Sequence, residues 1–325
     1  MARMDLRILV TSDCTVCPQA LDPLRRIAAV DCRFGLERDV MRRIVQDYGA
    51  IMCDGKVVID RELLAPADRI RVVATPSTGT DHIDKPFLAE RGIEFIALTT
   101  EYEVIEQFTA TAEGGWALLL AAIRRIPSDF ERAKRGERGL ADPDERRIQL
   151  SGKTLGVMGY GRLGRMVGEY GKAFRMRVLA FDRKHIDVAG VTRVDLGTLV
   201  TESDVISLNL HLTDETRLIL DRRRFEQMKR GVILVNTARG DLLDEDALVD
   251  ALESGHVAAA GLDVVHGEWD PNLAEHRLHE YARTHDNLIL TPHTASSCAE
   301  ATLIARSFIA SKLADRLRAL MNRTG

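Results

Sequence analysis

The sequence predicts an α/β chain built from two doubly wound parallel sheets. Three observations carry this. Short apolar runs alternate with helical segments over residues 6–100, and the alternation restarts at residue 153. Strands that alternate with helices pair in parallel and take helices on both faces. The 325 residues also suffice for two such cores.

Taken in order, strands are expected at 6–11, 28–34, 50–53, 70–74 and 93–98. Helices fall between them at 21–27, 37–48 and 86–91. A long helix over 104–126 follows, with an unbroken apolar centre at 116–123. Apolar nearly all round, it is expected to be buried, at a domain junction or a subunit contact. The charged stretch 127–149 reads as a surface connection. The second alternation places strands at 155–158, 177–181, 205–210, 232–236, 258–264 and 288–290. Its helices are 163–174, 196–201, 222–229 and 245–253. The last helical segment, 299–321, has no strand of its own and is expected to pack back on the first half.

Composition narrows the function classes. A formal charge of −4 offers no basic field for nucleic acid. No apolar run approaches the length of a bilayer span, so a membrane is not an expected partner. Residues 1–5 lead straight into the first strand, and no signal peptide is expected. Five scattered cysteines predict no disulfide framework and a reducing cytoplasm. Cys14 and Cys17 form a C-x-x-C that reads as an incidental surface loop. No second such pair and no nearby His pair completes a metal site.

The chemistry centres on Gly159, Gly161 and Gly164, spaced G-x-G-x-x-G with Tyr160, Arg162 and Leu163 between them. The motif leaves a predicted strand and opens a predicted helix. Its glycines serve a tight turn, the approach of a pyrophosphate, and close packing of helix on strand. Asp182 ends the next predicted strand, where a carboxylate meets the adenosine ribose. These residues predict a dinucleotide site. Asp182 favours NAD because it repels a 2′-phosphate, although Arg183 and Lys184 pull the other way.

Ligands of an open parallel sheet bind beyond the carboxyl ends of its strands. Arg239 follows the strand 232–236, in a turn with Thr237 and Ala238. Asp263 and Glu268 come at the end of 258–264, and His293 follows 288–290. A histidine partnered by a carboxylate moves a hydroxyl proton. An arginine forks onto a substrate carboxylate. In the first half, the turn over 77–81 offers N–H groups to an anion.

These stretches resemble the D-isomer-specific 2-hydroxyacid dehydrogenases, of the phosphoglycerate dehydrogenase-like kind without a regulatory domain. The resemblance rests on the glycine motif, Asn236 to Gly240, Gly261 to Val264 with Glu268, and Thr291-Pro292-His293. It extends through Ser77 to Asp84 and the pair Ala112-Glu113. It implies a Rossmann NAD-binding domain, 102–294, inserted into a flavodoxin-like substrate domain, 1–101 plus 295–325. It further implies an acid/base role for His293, with Glu268 as its partner and Arg239 as the carboxylate clamp. The backbone at Thr78 and Gly79 becomes a second carboxylate cradle. Asp263 and His293 join Thr237, Ala238 and the glycine motif on the cofactor side. The implied reaction is hydride transfer between NAD and C2 of a 2-hydroxy or 2-keto acid, phosphoglycerate- or hydroxypyruvate-like, in a cytoplasmic homodimer. A dinucleotide-sensing corepressor and a phosphite dehydrogenase are the alternatives on the same scaffold. Glu268 pairing with His293 speaks against formate dehydrogenase. The chain departs from the family where Trp269 replaces a frequent proline, and over 99–103 and 207–212.

Overall fold

The computed structural model describes residues 6–141 and 147–323. The start at residues 1–5 and part of the connection, 142–146, lie outside the described residues. The chain divides into two compact units, Met1–Phe108 with Ser297–Gly325, and Thr109–Ser296.

The first unit begins with β1 (Arg7–Val10), α1 (Asp22–Arg25), β2 (Ala29–Cys32), α2 (Arg38–Ile44) and β3 (Ala50–Met52). It continues with α3 (Arg61–Leu64), β4 (Val72–Thr75), α4 (Lys85–Glu90), β5 (Glu94–Ala97) and α5 (Tyr102–Ile105). The strands pair in parallel in the order β2-β1-β3-β4-β5, the flavodoxin-like order. Alternate residues feed opposite cores: Ile8 and Val10 lie in one cluster, Leu9 in the other. That two-sided burial is why the strands read as continuous apolar runs.

The second unit holds α6 (Ala110–Arg124), α7 (Ile126–Lys134), β6 (Thr154–Met158), α8 (Arg162–Ala173), β7 (Arg177–Phe181) and β8 (Val191–Arg193). Then come α9 (Leu196–Glu202), β9 (Val205–Leu208), α10 (Arg222–Gln227), β10 (Val232–Asn236), α11 (Glu245–Glu253), β11 (Val257–Leu262), α12 (Arg277–Ala282) and β12 (Leu288–Leu290). The sheet is parallel and seven-stranded, in the order β12-β11-β10-β9-β6-β7-β8. This is the Rossmann order with one strand added at an edge. One face packs on α6 and α8 through Trp116, Leu119, Ile123, Leu155, Val157 and Val235. The other face packs on α9 to α12 through Leu199, Phe225, Leu248, Leu262 and Leu278.

The chain then returns to the first unit as α13 (Ala299–Arg323). Its Ile309, Ala310, Leu313, Ala314 and Leu317 fill the core beneath Ile8, Val10, Val72 and Ala74.

Three expectations are corrected. The single helix over 104–126 is broken between α5 and α6. Ile105 and Phe108 serve the first unit's core, whereas Ala112 and Trp116 serve the second's. Helix α6 is not buried all round, since Glu113, Ala117 and Arg124 are exposed. The connection over 127–149 lies at the surface as expected, none of its described residues being buried, and it opens as helix α7: Arg125, at φ 51°, ends α6 in the left-handed conformation, and Pro127 sits in the first turn of α7. Finally, Cys14 and Cys32 form a disulfide, with Cα atoms 6.1 Å apart. The ends of the paired strands β1 and β2 bring them together, with Val10 opposite Cys32. Cys17, Cys53 and Cys298 are free. Among the described residues no helix is long and apolar enough to cross a membrane.

Candidate active site

All the strand-end residues singled out in the second unit follow the C-terminal ends of parallel strands, so they share one edge of its sheet. The glycine turn follows β6, and Asp182 follows β7. Arg239 follows β10, Glu268 follows β11 and His293 follows β12. Thr78 and Gly79 belong to the first unit, in the loop between β4 and α4. There the Thr78 carbonyl accepts a hydrogen bond from Thr99 Oγ1 at 3.2 Å.

The glycine turn fits a dinucleotide phosphate. Gly159 takes φ 88°, a left-handed conformation that favours glycine. A Cβ on Gly164 would stand 2.0 Å from the Gly159 carbonyl oxygen, so only glycine lets α8 pack this closely. A Cβ on Gly161 would meet nothing within 4 Å, which leaves open space before the first turn of α8. That turn presents N–H groups with no partner inside the helix. The Tyr160 ring turns away, into the core against Gly168, and burial pushes its phenol pKa up.

Asp182 follows β7 and lies beside the glycine turn. Its carboxylate accepts from Tyr160 N at 2.7 Å and from Lys184 N at 2.8 Å. An ionised carboxylate has about four lone-pair positions, so it keeps capacity for ribose hydroxyls.

At the other end of the sheet the loops are tied by backbone bonds. The buried Asn236 accepts from Ala238 N and donates to the Arg239 carbonyl at 2.7 Å. This staple shapes the turn that carries Arg239. A Cβ on Gly240 would lie 2.1 Å from His266 N, so the Arg239 turn presses on the loop leading to Glu268. Beneath that loop, Glu245 accepts from His266 N at 2.8 Å and pairs with His276 Nε2 at 3.1 Å. Burial raises the Glu245 pKa to about 7 and lowers that of His276.

Asp263 is buried and organises the loop that follows β12. Thr291 Oγ1 and the backbone N–H groups of Thr294 and Ala295 donate to its carboxylate at 2.5, 2.8 and 2.9 Å. His293 N donates to the Asp263 carbonyl at 2.9 Å. These bonds hold His293 at φ 54°, a costly conformation for a residue with a Cβ. The His293 imidazole then donates through Nδ1 to Glu268 Oε1 at 2.7 Å. An ionised carboxylate only accepts, so in this contact Nδ1 is the donor and Nε2 is the ring nitrogen left to face a substrate.

Sequence reasoning missed several parts of this frame. Asn236 stood in a quoted motif without a role, although a short amide before a turn is a common staple. Thr291, Glu245 and the face-to-face approach of Trp269 to His293 carried no signal in spacing. Among the described residues no His, Cys, Asp and Glu group of three or more could hold a metal.

A parallel seven-stranded sheet with a glycine turn at its centre defines a Rossmann dinucleotide-binding domain. The chain belongs to the D-isomer specific 2-hydroxyacid dehydrogenases: residues 116–295 match that family's NAD binding domain and residues 8–105 its catalytic domain. It is similar to a D-3-phosphoglycerate dehydrogenase of Archaeoglobus fulgidus, at 34% identity over 324 residues. That match covers 97% of this chain and 58% of the relative, so the chain spans under two thirds of that protein's length. A hydroxypyruvate reductase of Thermotoga maritima is 34% identical over 268 residues, covering 82% of this chain and 84% of that one. Among solved structures, the TT0316 protein from Thermus thermophilus aligns with a TM-score of 0.83 at 34% identity, covering 98% of this chain and 97% of that one.

Proposed function

We propose that this protein is an NAD-dependent dehydrogenase that interconverts a D-2-hydroxy acid and its 2-keto acid. The observation that carries the reading is the Nδ1–Oε1 contact between His293 and Glu268 at the sheet edge that also bears Arg239. NAD bound here in its reduced form would supply hydride chemistry at C2 of the keto acid. His293 Nε2, protonated, gives its proton to the C2 oxygen, and hydride plus proton complete the alcohol. In the oxidative direction the same nitrogen takes the hydroxyl proton. Glu268 fixes the tautomer and supports the imidazolium when it forms. The Arg239 guanidinium forks onto the substrate carboxylate and polarises the neighbouring carbonyl. From the family resemblance we also assign the backbone N–H groups at Thr78 and Gly79, in the first unit, a carboxylate-binding role.

On the cofactor side, the amides around Gly159 to Gly164 hold the pyrophosphate, Asp182 the ribose, and Thr237 and Ala238 the nicotinamide half. Asp263 acts through the loop it organises. The substrate is a small acid of the phosphoglycerate or hydroxypyruvate kind. The reading takes the protein to be cytoplasmic, with the Cys14–Cys32 disulfide a departure from the free thiols usual there. It also makes the protein a homodimer. Ile126 and Phe130, one helical turn apart on α7, are 53% and 61% exposed. This exposed apolar pair makes α7 the candidate contact between the two copies. A monomer by light scattering overturns the dimer.

The test of function is NADH consumption against hydroxypyruvate, phosphohydroxypyruvate, glyoxylate and pyruvate, with NADPH in parallel and phosphite with NAD in the reverse direction. At least one keto acid is expected to turn over with NADH. A folded protein that binds NADH and consumes none of them would point instead to a dinucleotide-sensing binding module.

A further inference from the structure

Trp269 follows Glu268 directly, where the resemblance leads one to expect proline. Its indole stacks on the His293 imidazole, with centroids 5.9 Å apart and planes 26° from parallel. The indole is 50% exposed, so it forfeits much of the stability that core burial gives a tryptophan. Two consecutive residues therefore meet one imidazole from different directions. Glu268 takes its edge at Nδ1, and Trp269 stacks toward its face with 5.9 Å between ring centroids. The edge contact resists a flip of the ring about χ2. The face contact resists a tilt out of the plane in which that hydrogen bond is straight. An aromatic face also attracts an imidazolium more than a neutral ring.

We propose that Trp269 is a positioning residue that holds the His293 imidazole in the single orientation and tautomer with Nδ1–H on Glu268. This deepens the dehydrogenase reading and rests on it for its kinetic consequence, but the orientation itself is measurable without turnover. The loop is preset for this. Asp263 fixes the His293 backbone through the Thr294 and Ala295 amides, and Glu245 fixes the other loop through His266 N. Neither bond reaches the imidazole plane, which is left to Glu268 and Trp269.

The test uses the full chain with isotope-labelled histidine, the His293 signals assigned by H293N. In the parent protein, His293 is expected to show one Nδ1–H tautomer and a ring proton shifted upfield by the indole. W269A and W269L are expected to lose the upfield shift and to give a mixture of tautomers. W269F is expected to keep a single tautomer. In turnover, W269A should lower kcat roughly three- to tenfold with the KM for NADH unchanged, and W269F should recover to within about twofold. An unmoved His293 signal in W269A overturns the stack. A lost upfield shift with one tautomer retained overturns the positioning role, as does unchanged kcat in W269A. If the parent protein reduces no keto acid, the dehydrogenase reading fails, and the tautomer measurement alone decides the inference.

Discussion

The Gly159 carbonyl oxygen lies 2.0 Å from where a Cβ on Gly164 would stand. The contact is backbone against helix, so no side-chain rotation relieves it. Val157 Cγ1, at 3.2 Å, blocks the other way out. Gly164→Ala must push α8 off the turn that precedes it. We expect a loss of about 1–3 kcal/mol in stability, as for overpacked cores. NADH binding should weaken by more than the stability loss alone implies. Denaturant titration and NADH fluorescence titration check the pair, and a variant with parental NADH affinity contradicts the phosphate-turn assignment.

His293→Asn removes the group proposed to move the proton and leaves the glycine turn untouched. We expect kcat to fall by about a hundred- to ten-thousandfold. The dissociation constant for NADH should change by less than about threefold, well under one tenfold step of about 1.4 kcal/mol. Stopped-flow turnover with equilibrium NADH binding separates the two. A near-parental rate would remove His293 from the mechanism.

The proposed function assigns the cofactor preference to Asp182. Its carboxylate sits at the end of β7, held by Tyr160 N and Lys184 N, and would face the phosphate that distinguishes NADP. The parent protein should favour NADH over NADPH by at least roughly tenfold in kcat/KM, and Asp182→Ala should bring that ratio down by a similar factor. Equal turnover of both cofactors by the parent protein contradicts the assignment.

Glu245 predicts an unusual pH trend in stability. Burial is the main cause that raises its pKa from 4.5 to about 7 in the folded state. Between those two values the folded carboxyl keeps a proton that the unfolded one has released. Its contribution is complete below pH 4.5 and is lost as pH rises through 7, up to about 2–3 kcal/mol. Asp241, Asp246, His266 and His276 face the same carboxyl and share in the transition. The denaturation midpoint of the parent protein should fall between about pH 5.5 and about pH 8, and that of Glu245→Gln should fall less. Equal slopes in the two proteins contradict the prediction.

Much of the fold was legible because both sheets are buried on both faces. The apolar run at 232–236 became β10 without a boundary change, and the same holds for β7, β12 and α11. Elements that bury little were missed. β8 pairs Val191 to Arg193 with β7 at a partly exposed edge, and α12 buries only Leu278 and Tyr281. The break between α5 and α6 was hidden for the opposite reason. Its flanks are apolar on both sides, and periodicity cannot say that they enter two different cores. At the candidate site, residue types and strand ends named His293, Glu268 and Arg239. The frame around them comes from long-range bonds, such as Thr294 N to Asp263, which no local pattern encodes. The pairing of Cys14 with Cys32 is of that kind too, since it follows from the register of β1 on β2.

Leu313, Ile309 and Ala314 complete a core whose strands lie in the first hundred residues of the chain. During synthesis the first unit's sheet leaves the ribosome early, with one face covered only in part, by residues such as Leu21, Leu24 and Ile105. The second unit is continuous from Thr109 to Ser296 and has its whole core before α13 is made. The order of synthesis and the order of completion are therefore opposite: the part begun first is finished last. Until Leu317 emerges, the apolar face around Ile8, Val10, Val72 and Ala74 is the chain's main exposure to misassembly.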